Sequence, residues 1–381
     1  MKVNTYAKHN SFKNFISKNN LTTDQAINKI LKVKKNINVF SSLSNHHKKI
    51  LDRAIVELTE NKKKIRFKLS ENVLSEISTL PEALLLKYIV HRYRYEIFPQ
   101  TKEVDDFPPY LQIEPSSICN YRCVFCFETD KTFTNKKNGF MGRMNYDFFK
   151  KVIDDAEGNV EFISLASRGE PLACKDIEKM LNYTKDKFLN LKINTNASLL
   201  DEAKCHAILS GGVKTVVFSA DAADEKLYAK LRVNGKLSQV IKNIEKFQKI
   251  RETHYPNNPI ISRVSGVKFS EEQNFEDMNN LWNGLVDQVA FVEYNPWENS
   301  YQKEANDITE PCSDLWRRMF IWWDGKANPC DVDYKSNLTV GTFPERNLSK
   351  IWKSKEYNRL RQTHIKNQRN KLTPCRACTV V

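Results

Sequence analysis

The chain has 381 residues, 40% of them hydrophobic, which is enough for one large domain with a buried core and smaller attachments. It has no apolar run near the roughly 18 residues of a membrane span, and residues 1–20 lack the apolar segment of a secretory signal. We therefore expect a cytoplasmic protein with no membrane segment. Nine cysteines in such a chain favour metal-binding or catalytic roles over disulfide bonds.

The net charge of +14 is concentrated near the N-terminus. Residues 1–100 hold 19 Lys and Arg against 8 Asp and Glu, whereas residues 101–381 hold 41 against 38. A nearly neutral remainder is not typical of a nucleic-acid channel. We interpret the basic stretch as a solvated or structural surface, with an anion-binding patch as the alternative.

Residues 1–105 are predicted to form a basic, helical N-terminal extension. Residues 1–20 are polar and are expected to fray. Apolar residues at helical spacing follow a cap at Thr22-Thr23-Asp24, and similar patterns cover residues 45–59 and 69–97, with a break near Pro81. This region has no chemical motif, and the sequence assigns it no role.

Three cysteines follow at the spacing C-x3-C-x2-C, namely Cys119, Cys123 and Cys126. Offsets of four and three residues also place buried thiols on one helix face, which is the alternative. However, Pro115-Ser116-Ser117 before them and Asn120-Tyr121-Arg122 between them are typical of a loop. Thiolates are the usual ligands of iron–sulfur clusters, and three of them leave one iron of a four-iron cluster open to a small molecule. We predict a cluster or metal site here.

Residues 106–300 alternate short β-rich runs with amphipathic segments, which predicts repeated βα units and a parallel sheet. The predicted strands cover residues 111–114, 160–166, 191–194, 215–220, 260–267 and 288–293. The predicted helices cover residues 145–155, 175–187, 201–209, 237–251 and 275–285. Six repeats are fewer than the eight of a closed barrel, and functional groups are expected at the carboxyl ends of the strands.

Residues 301–381 follow a different pattern and contain four cysteines, namely Cys312, Cys330, Cys375 and Cys378. A strand is predicted over residues 317–323, then a hairpin turn at Asp324-Gly325, a return strand over 326–329 and a helix over 348–365. Four thiolates complete either a zinc site or an iron–sulfur cluster. The sequence favours a cluster, because structural zinc sites more often pair two C-x2-C units.

The first cysteine motif resembles the signature of the radical S-adenosylmethionine (SAM) superfamily, C-x3-C-x-aromatic-C in a loop after the first barrel strand, with Phe125 as the aromatic residue. The resemblance implies a partial (β/α)6 TIM-like barrel and a 4Fe–4S cluster whose open iron binds SAM. It also implies reductive cleavage of SAM to a 5′-deoxyadenosyl radical, which takes hydrogen from a substrate. The cofactors perform this chemistry, and the protein positions and shields them.

The same resemblance implies SAM contacts at the strand ends. Gly169 and Glu170, after the second strand, resemble the motif that binds the SAM amino group, and Asn196 follows the third strand. A carboxylate and carbonyls are suitable acceptors for an amine. The alternatives are a turn before a helix for Gly169 and Glu170, and a strand end for Asn196.

Further SAM contacts are implied after the fourth strand and within the fifth. Ser219 and Asp221 match positions that contact the SAM ribose and nearby groups, and Arg263 is the expected partner of the SAM carboxylate. Ser219 and Asp221 could instead cap the next helix, and Arg263 could be a surface residue of its strand.

The C-terminal hairpin, the Pro-Cys after it, the helix and the final C-x2-C resemble the twitch or short SPASM extension of radical SAM enzymes. The resemblance implies one auxiliary 4Fe–4S cluster, hence two clusters in all. Four thiolates leave no open iron on the auxiliary cluster, so we expect it to accept or relay electrons. That role favours oxidation of the substrate.

The predicted function is therefore a radical SAM oxidoreductase or modifying enzyme that uses a small molecule, such as a sugar-like alcohol, or a ribosomal peptide. An electron donor such as flavodoxin or ferredoxin is implied. The alternatives are a radical SAM enzyme that modifies RNA and a non-enzymatic zinc- or cluster-binding protein. No catalytic base stands out. The residues suggested to face the substrate are Tyr294, Trp297, Glu298, Asp331, Asp333 and Tyr334, with exposed polar groups of loops as the alternative.

Overall fold

A ten-stranded sheet is the frame of the molecule. The computed structural model describes residues 4–7, 11–18, 20–60, 67–166 and 168–381. The strands are β1 (Phe12–Ser17), β2 (Tyr110–Ile113), β3 (Arg122–Cys123), β4 (Phe162–Leu165), β5 (Asn190–Thr195), β6 (Val213–Ser219), β7 (Arg232–Val233), β8 (Ile261–Lys268), β9 (Gln288–Glu293), β10 (Arg318–Ile321), β11 (Lys326–Asn328) and β12 (Gly341–Thr342).

Helices cover the sheet and one end of it. The helices are α1 (Thr23–Lys34), α2 (Ile37–Ser41), α3 (Asn45–Thr59), α4 (Glu71–Thr79), α5 (Glu82–Thr101), α6 (Lys131–Thr134), α7 (Tyr146–Ala156), α8 (Ile177–Tyr183), α9 (Glu202–Ser210), α10 (Glu225–Leu231), α11 (Leu237–His254), α12 (Phe275–Trp282), α13 (Asp314–Arg317), α14 (Leu348–Trp352) and α15 (Lys355–Ile365). None of the described helices combines the length and apolar character that a bilayer span requires.

Six parallel strands form the central barrel-like part of the sheet, in the order β2, β4, β5, β6, β8 and β9. Each is joined to the next through one or more helices, from α7 to α12, so the predicted α/β fold with six βα repeats is confirmed. β2 and β4 are buried along their whole length, as expected for strands of a parallel sheet with both faces covered.

Helices α1–α5 share one hydrophobic cluster, which also contains Tyr110 and Phe162 from the amino ends of β2 and β4. His91 of α5 stacks on Phe162, with 3.6 Å between the ring centroids. Arg94 of α5 forms an ion pair with Glu161, 2.9 Å away, just before β4. These contacts place the N-terminal helices against the amino-terminal end of the barrel, opposite to the end where catalytic loops are expected.

The expectation that residues 1–20 fray is wrong for the described part of that segment. β1 pairs antiparallel with β9, and Tyr6 pairs with the C-terminal residues: its N–H donates to Thr379 O (2.9 Å), and its carbonyl accepts from Val381 N–H (3.1 Å). The physical reason is the edge of β9, whose unpaired backbone groups need a partner strand. A short strand whose partner is distant in the sequence leaves only a weak pattern in its own residues, so the sequence did not predict β1.

The C-terminal residues extend the other edge of the sheet. β10 lies parallel to β2, and β11 returns beside it through a turn in which Gly325 has a φ of +87°, as the predicted hairpin requires. The predicted strand over residues 317–323 is shorter in the structure, because residues Asp314–Arg317 form one turn of helix with buried side chains.

Candidate functional site

A cavity of about 360 Å³ lies at the carboxyl ends of the parallel strands. Most of the predicted SAM and cluster residues line it, namely Cys119, Cys123, Phe125, Cys126, Gly169, Glu170, Asn196 and Ser219. Two predicted residues, Asp221 and Arg263, are not among the lining residues. The loops that follow successive parallel strands thus meet at the cysteine motif, as expected at the carboxyl ends of the strands of an α/β barrel.

The cysteine loop is held by the pairing of β3 with β7 and by hydrogen bonds to two of its thiols. Cys123 lies in β3, which pairs with β7, and it faces Arg232 across that pair. The N–H of Tyr121 donates to Cys119 Sγ (3.4 Å), and a guanidinium N–H of Arg232 donates to Cys123 Sγ (3.7 Å). Burial raises the pKa of Cys119 to about 12 in the metal-free chain, so binding a metal centre there releases protons.

Glu170 fixes the loops around the cavity through its carboxylate. That carboxylate accepts from Leu172 N–H (3.0 Å), Thr195 Oγ1 (2.7 Å) and Asn196 N–H (2.8 Å). The Asn196 amide in turn donates to Asn120 Oδ1 (3.0 Å), within the cysteine motif. Glu170 therefore joins the ends of β4 and β5 through these hydrogen bonds. The remaining lone pairs of its carboxylate, together with neighbouring backbone carbonyls, could accept from an amine.

Gly169 lies where a side chain does not fit. A Cβ at this position would lie 2.5 Å from Ser116 O and 2.7 Å from Ile118 N, which belong to the backbone before the cysteines. We expect Gly169→Ala to displace the cysteine loop, to cost about 1–3 kcal/mol or more of stability and to weaken SAM binding.

The matched control for Gly169→Ala is Gly284→Ala, because a Cβ there meets nothing within 4 Å. Urea unfolding and SAM titration of the reconstituted proteins measure both effects. SAM affinity and stability of Gly169→Ala equal to those of Gly284→Ala would contradict this interpretation.

Asp221 is fully buried outside the cavity, which corrects its predicted contact with the SAM ribose. It forms an ion pair with Arg232 and accepts from Val267 N–H (2.7 Å). Arg232, which does line the cavity, is a residue that the sequence interpretation missed. In the sequence, Arg232 is one of several basic residues after the fourth strand, and nothing local distinguishes it from the others. Only its pairing with Cys123 places it at the site.

Arg263 is also placed differently from its prediction. Its Nε–H donates to Gln288 Oε1 (2.6 Å), and its guanidinium lies over the rings of Phe12 (5.1 Å) and Phe15 (5.5 Å) of β1. The reason is register, because Arg263 lies opposite Val217, two residues before Ser219, and the rings of the unexpected strand β1 cover it. This position does not suit a contact with the SAM carboxylate at the strand ends.

A buried ion pair joins the cavity wall to the C-terminal residues. Arg168 forms a two-bond pair with Glu114, both bonds 2.6 Å long, and also donates to Tyr334 O (2.8 Å). Arg168 and Glu114 are 3% and 0% exposed, so neither charge can be solvated by rearrangement.

We expect Arg168→Met to destabilise the protein by about 3–5 kcal/mol, because it leaves the Glu114 carboxylate buried without a countercharge. Chemical unfolding measures the loss. The double variant Arg168→Met with Glu114→Gln also removes the unpaired charge, and it is expected to recover part of the lost stability. A single variant as stable as the wild type would show that the pair is not buried in solution.

The four C-terminal cysteines line a second, smaller cavity of about 20 Å³, together with Arg369. The Arg369 guanidinium donates to the carbonyls of Glu310, Val380 and Cys378, each at 2.9 Å, and so orders the loop that carries the last two cysteines. In the described ranges, no group of three or more His, Cys, Asp or Glu residues is arranged to hold a single metal ion.

The residues suggested to face the substrate divide into two groups. Trp297 and Asp331 line the first cavity, and the Trp297 indole N–H donates to Phe125 O (2.8 Å). Tyr294, Glu298, Asp333 and Tyr334 do not line it. Asp333 is buried and accepts from Tyr301 (2.6 Å), and this placement corrects its suggested role.

The chain matches two family models at the two cysteine sets. Residues 113–262 match the model of the radical SAM superfamily, and residues 312–379 match the SPASM model, an iron-sulfur cluster-binding domain. The chain belongs to the radical SAM superfamily. It is therefore an enzyme by family, and its cofactors are SAM and iron–sulfur clusters. The donor sets fit these groups, because each matched range contains thiols that converge on one cavity.

Individual relatives agree with this placement. The chain is 30% identical to the tungsten-containing aldehyde ferredoxin oxidoreductase cofactor-modifying protein of Pyrococcus furiosus, over 65% of this chain and 82% of that protein. It is 28% identical to a GTP 3',8-cyclase of Clostridium botulinum, over 54% of this chain and only 64% of the cyclase. The fold is similar to that of Streptococcus suis SuiB bound to S-adenosylmethionine, with a TM-score of 0.53, 17% identity and coverage of 93% and 87%.

Proposed function

We propose that this radical SAM enzyme oxidises a small-molecule substrate inside the cavity of the partial barrel, with Cys119, Cys123 and Cys126 as ligands of one 4Fe–4S cluster. The remaining set, Cys312, Cys330, Cys375 and Cys378, would hold an auxiliary 4Fe–4S cluster. One observation carries the proposal: the cavity lined by the first three cysteines is also lined by Asp331, the neighbour of Cys330. Asp331 thus links the wall of this cavity to the segment that carries Cys330, a residue of the second cavity.

The residues around the first cysteines supply what SAM needs. When bound, a 4Fe–4S cluster carrying SAM supplies a hydrogen-abstracting radical after one-electron reduction, and the auxiliary cluster supplies an electron acceptor. Arg232 and Ser219 line the cavity and would hold the SAM carboxylate, in place of Arg263. Gly169 packs against the backbone of Ser116–Ile118, and the carbonyls there would accept from the SAM amino group, with Glu170 holding the neighbouring loop through Asn196 N–H.

The size and lining of the cavity support a small molecule rather than a peptide. Tyr6 and Ser11, on either side of the undescribed residues 8–10, line the cavity together with Trp297, so chain segments from three regions border it. Its volume lies in the range of small-molecule sites, about 300–1,000 Å³. Two of the relatives found by sequence are named for a nucleotide cyclisation and for modification of a cofactor, and these names also favour a small molecule.

An external one-electron donor, such as flavodoxin or ferredoxin, is part of the proposal, because reductive cleavage of SAM consumes one electron. Modification of RNA remains the alternative. It predicts RNA binding that weakens steeply with salt and is lost when residues 1–100 are deleted.

Anaerobic reconstitution tests the proposal. We expect about eight irons per chain, and cleavage of SAM to 5′-deoxyadenosine when the clusters are reduced. About four irons per chain would contradict the auxiliary cluster, and a fully reconstituted, reduced protein that leaves SAM intact would contradict the enzymatic proposal. Screening small alcohols and peptides for faster 5′-deoxyadenosine formation then separates the two substrate classes.

A further inference from the structure

The floor of the cavity contains a polar row that neither the cluster nor the SAM assignment uses. Gln112, Ser164 and Lys192 lie opposite one another on β2, β4 and β5, and all three line the cavity. Lys192 precedes Asn196 by four residues. At about 3.3 Å per residue, the row therefore lies about 13 Å along the strands from the SAM contacts.

These three side chains lack hydrogen-bond and ion-pair partners among the described residues, although the Lys192 ammonium lies over the Tyr110 ring. Within the described ranges, no residue forms a hydrogen bond or an ion pair with the side-chain polar atoms of Gln112, Ser164 or Lys192. Gln112 is 7% exposed and Ser164 is 1% exposed, so they have little contact with bulk water. Lys192 is half-buried, and the three side chains leave donors free to bind a ligand in the cavity.

The charge of the floor indicates which ligand would fit. The arginines that line the cavity are paired: Arg168 with Glu114, Arg232 with Asp221, and Arg318 with Asp314 at 3.9 Å. Lys192 is the one lining cation with no carboxylate within 4.0 Å in the part of the chain that the structure describes.

A second cation reinforces Lys192. The Nζ of Lys192 lies 5.8 Å from the centre of the Tyr110 ring, and the guanidinium of Arg318 lies 4.9 Å from the same ring centre. Both residues line the cavity. Two cations close to one ring, with hydroxyl and amide donors beside them, form a positively charged end of a partly enclosed space, which attracts anions.

We propose that the substrate carries a carboxylate or phosphate group that binds Lys192 at the cavity floor, with Gln112 and Ser164 as hydrogen-bond donors and Arg318 as the second cation. This inference rests on the proposed function, since it names the class of molecule held in that cavity. A substrate bound by its anionic end presents its other end to the cysteine loop, where hydrogen would be abstracted. Lysine is suited to either anion, because its ammonium is a point charge without the planar fork of arginine.

The test uses the full-length, anaerobically reconstituted holoenzyme saturated with SAM, so that SAM is not itself the anion bound. Calorimetric titration with pyrophosphate and with the tricarboxylate tricarballylate measures binding and separates the two anion classes. We expect Lys192→Met to weaken binding of the preferred probe by at least about tenfold, and Lys192→Arg to retain it within about threefold. Ser164→Ala is expected to weaken it by about threefold.

The matched control is Lys214→Met, which removes a lysine from the neighbouring strand β6 that does not line this cavity. Its anion affinity is expected to equal that of the wild type. Absence of binding in the wild type, or equal binding by the wild type and Lys192→Met, overturns the inference. If Lys192→Met fails to assemble clusters, Ser164→Ala decides, and an unchanged affinity of that variant overturns the inference.

SAM cleavage by the wild type is recorded separately to keep the two proposals distinct. A wild type that cleaves SAM but shows no Lys192-dependent anion binding contradicts the inference alone. A wild type that binds the anion through Lys192 but never cleaves SAM contradicts the proposed function alone.

Discussion

Replacing Cys123 with alanine is expected to abolish reductive cleavage of SAM. Cys123 is one of three cysteines lining the main cavity, and a cubane held by two thiolates loses its defined open iron. Even outer-shell partners of metal ligands are worth about 10–100-fold, so we expect a loss of more than about 100-fold. The measurement is 5′-deoxyadenosine formation by the anaerobically reconstituted, reduced protein.

Cys205→Ala is the matched control for this experiment. Cys205 lies fully buried in α9, and it lines neither of the cavities at the two cysteine sets. Its replacement removes a thiol from the core and is expected to preserve SAM cleavage. Cleavage that survives in Cys123→Ala would contradict the assignment of the first cluster. Loss in both variants would show that the effect comes from general instability.

Replacing Cys375 with alanine is expected to separate SAM cleavage from substrate oxidation. The iron content should fall from about eight to about four per chain, because one whole cluster is lost. SAM cleavage should persist, because Cys375 lines the second cavity and not the first. Product formation should fall sharply, since the proposed electron acceptor of the substrate radical would be lost.

Two measurements check this prediction, namely iron with acid-labile sulfide, and the ratio of product to 5′-deoxyadenosine. Full product formation at half the iron content would contradict an electron-accepting role. Loss of SAM cleavage together with product would instead indicate that the C-terminal cysteines support the fold of the barrel, to which β10 contributes a strand.

The elements that could be predicted from the sequence are those with a local signal. The six parallel strands and the helices between them follow from apolar patterns a few residues long, and the Asp324-Gly325 turn follows from its residue types. The cysteine sets also have local signals, because ligand spacing in a loop is visible without the fold. The match of residues 113–262 and 312–379 to family models agrees with those predictions.

The remaining features depend on contacts between distant residues. Arg232 becomes part of the site only because β3 and β7 pair, and Arg263 leaves it because β1 places Phe12 and Phe15 over the guanidinium. The polar row at the cavity floor depends on the register of three strands. A shift of one residue turns a strand's side chains to the other face, so local patterns could not predict these placements.

The pairing of β1 with β9 has a consequence for the order in which the molecule is built. β1 precedes the other described strands, yet Phe12 pairs with Val292 and Ser17 with Gln288, and Tyr6 pairs with Thr379 and Val381. Such distant contacts form late in folding, because closing a long loop costs conformational entropy before the contact is gained. We therefore expect the side of the barrel bordered by Tyr6 to close late in folding, after the neighbouring parallel strands have paired.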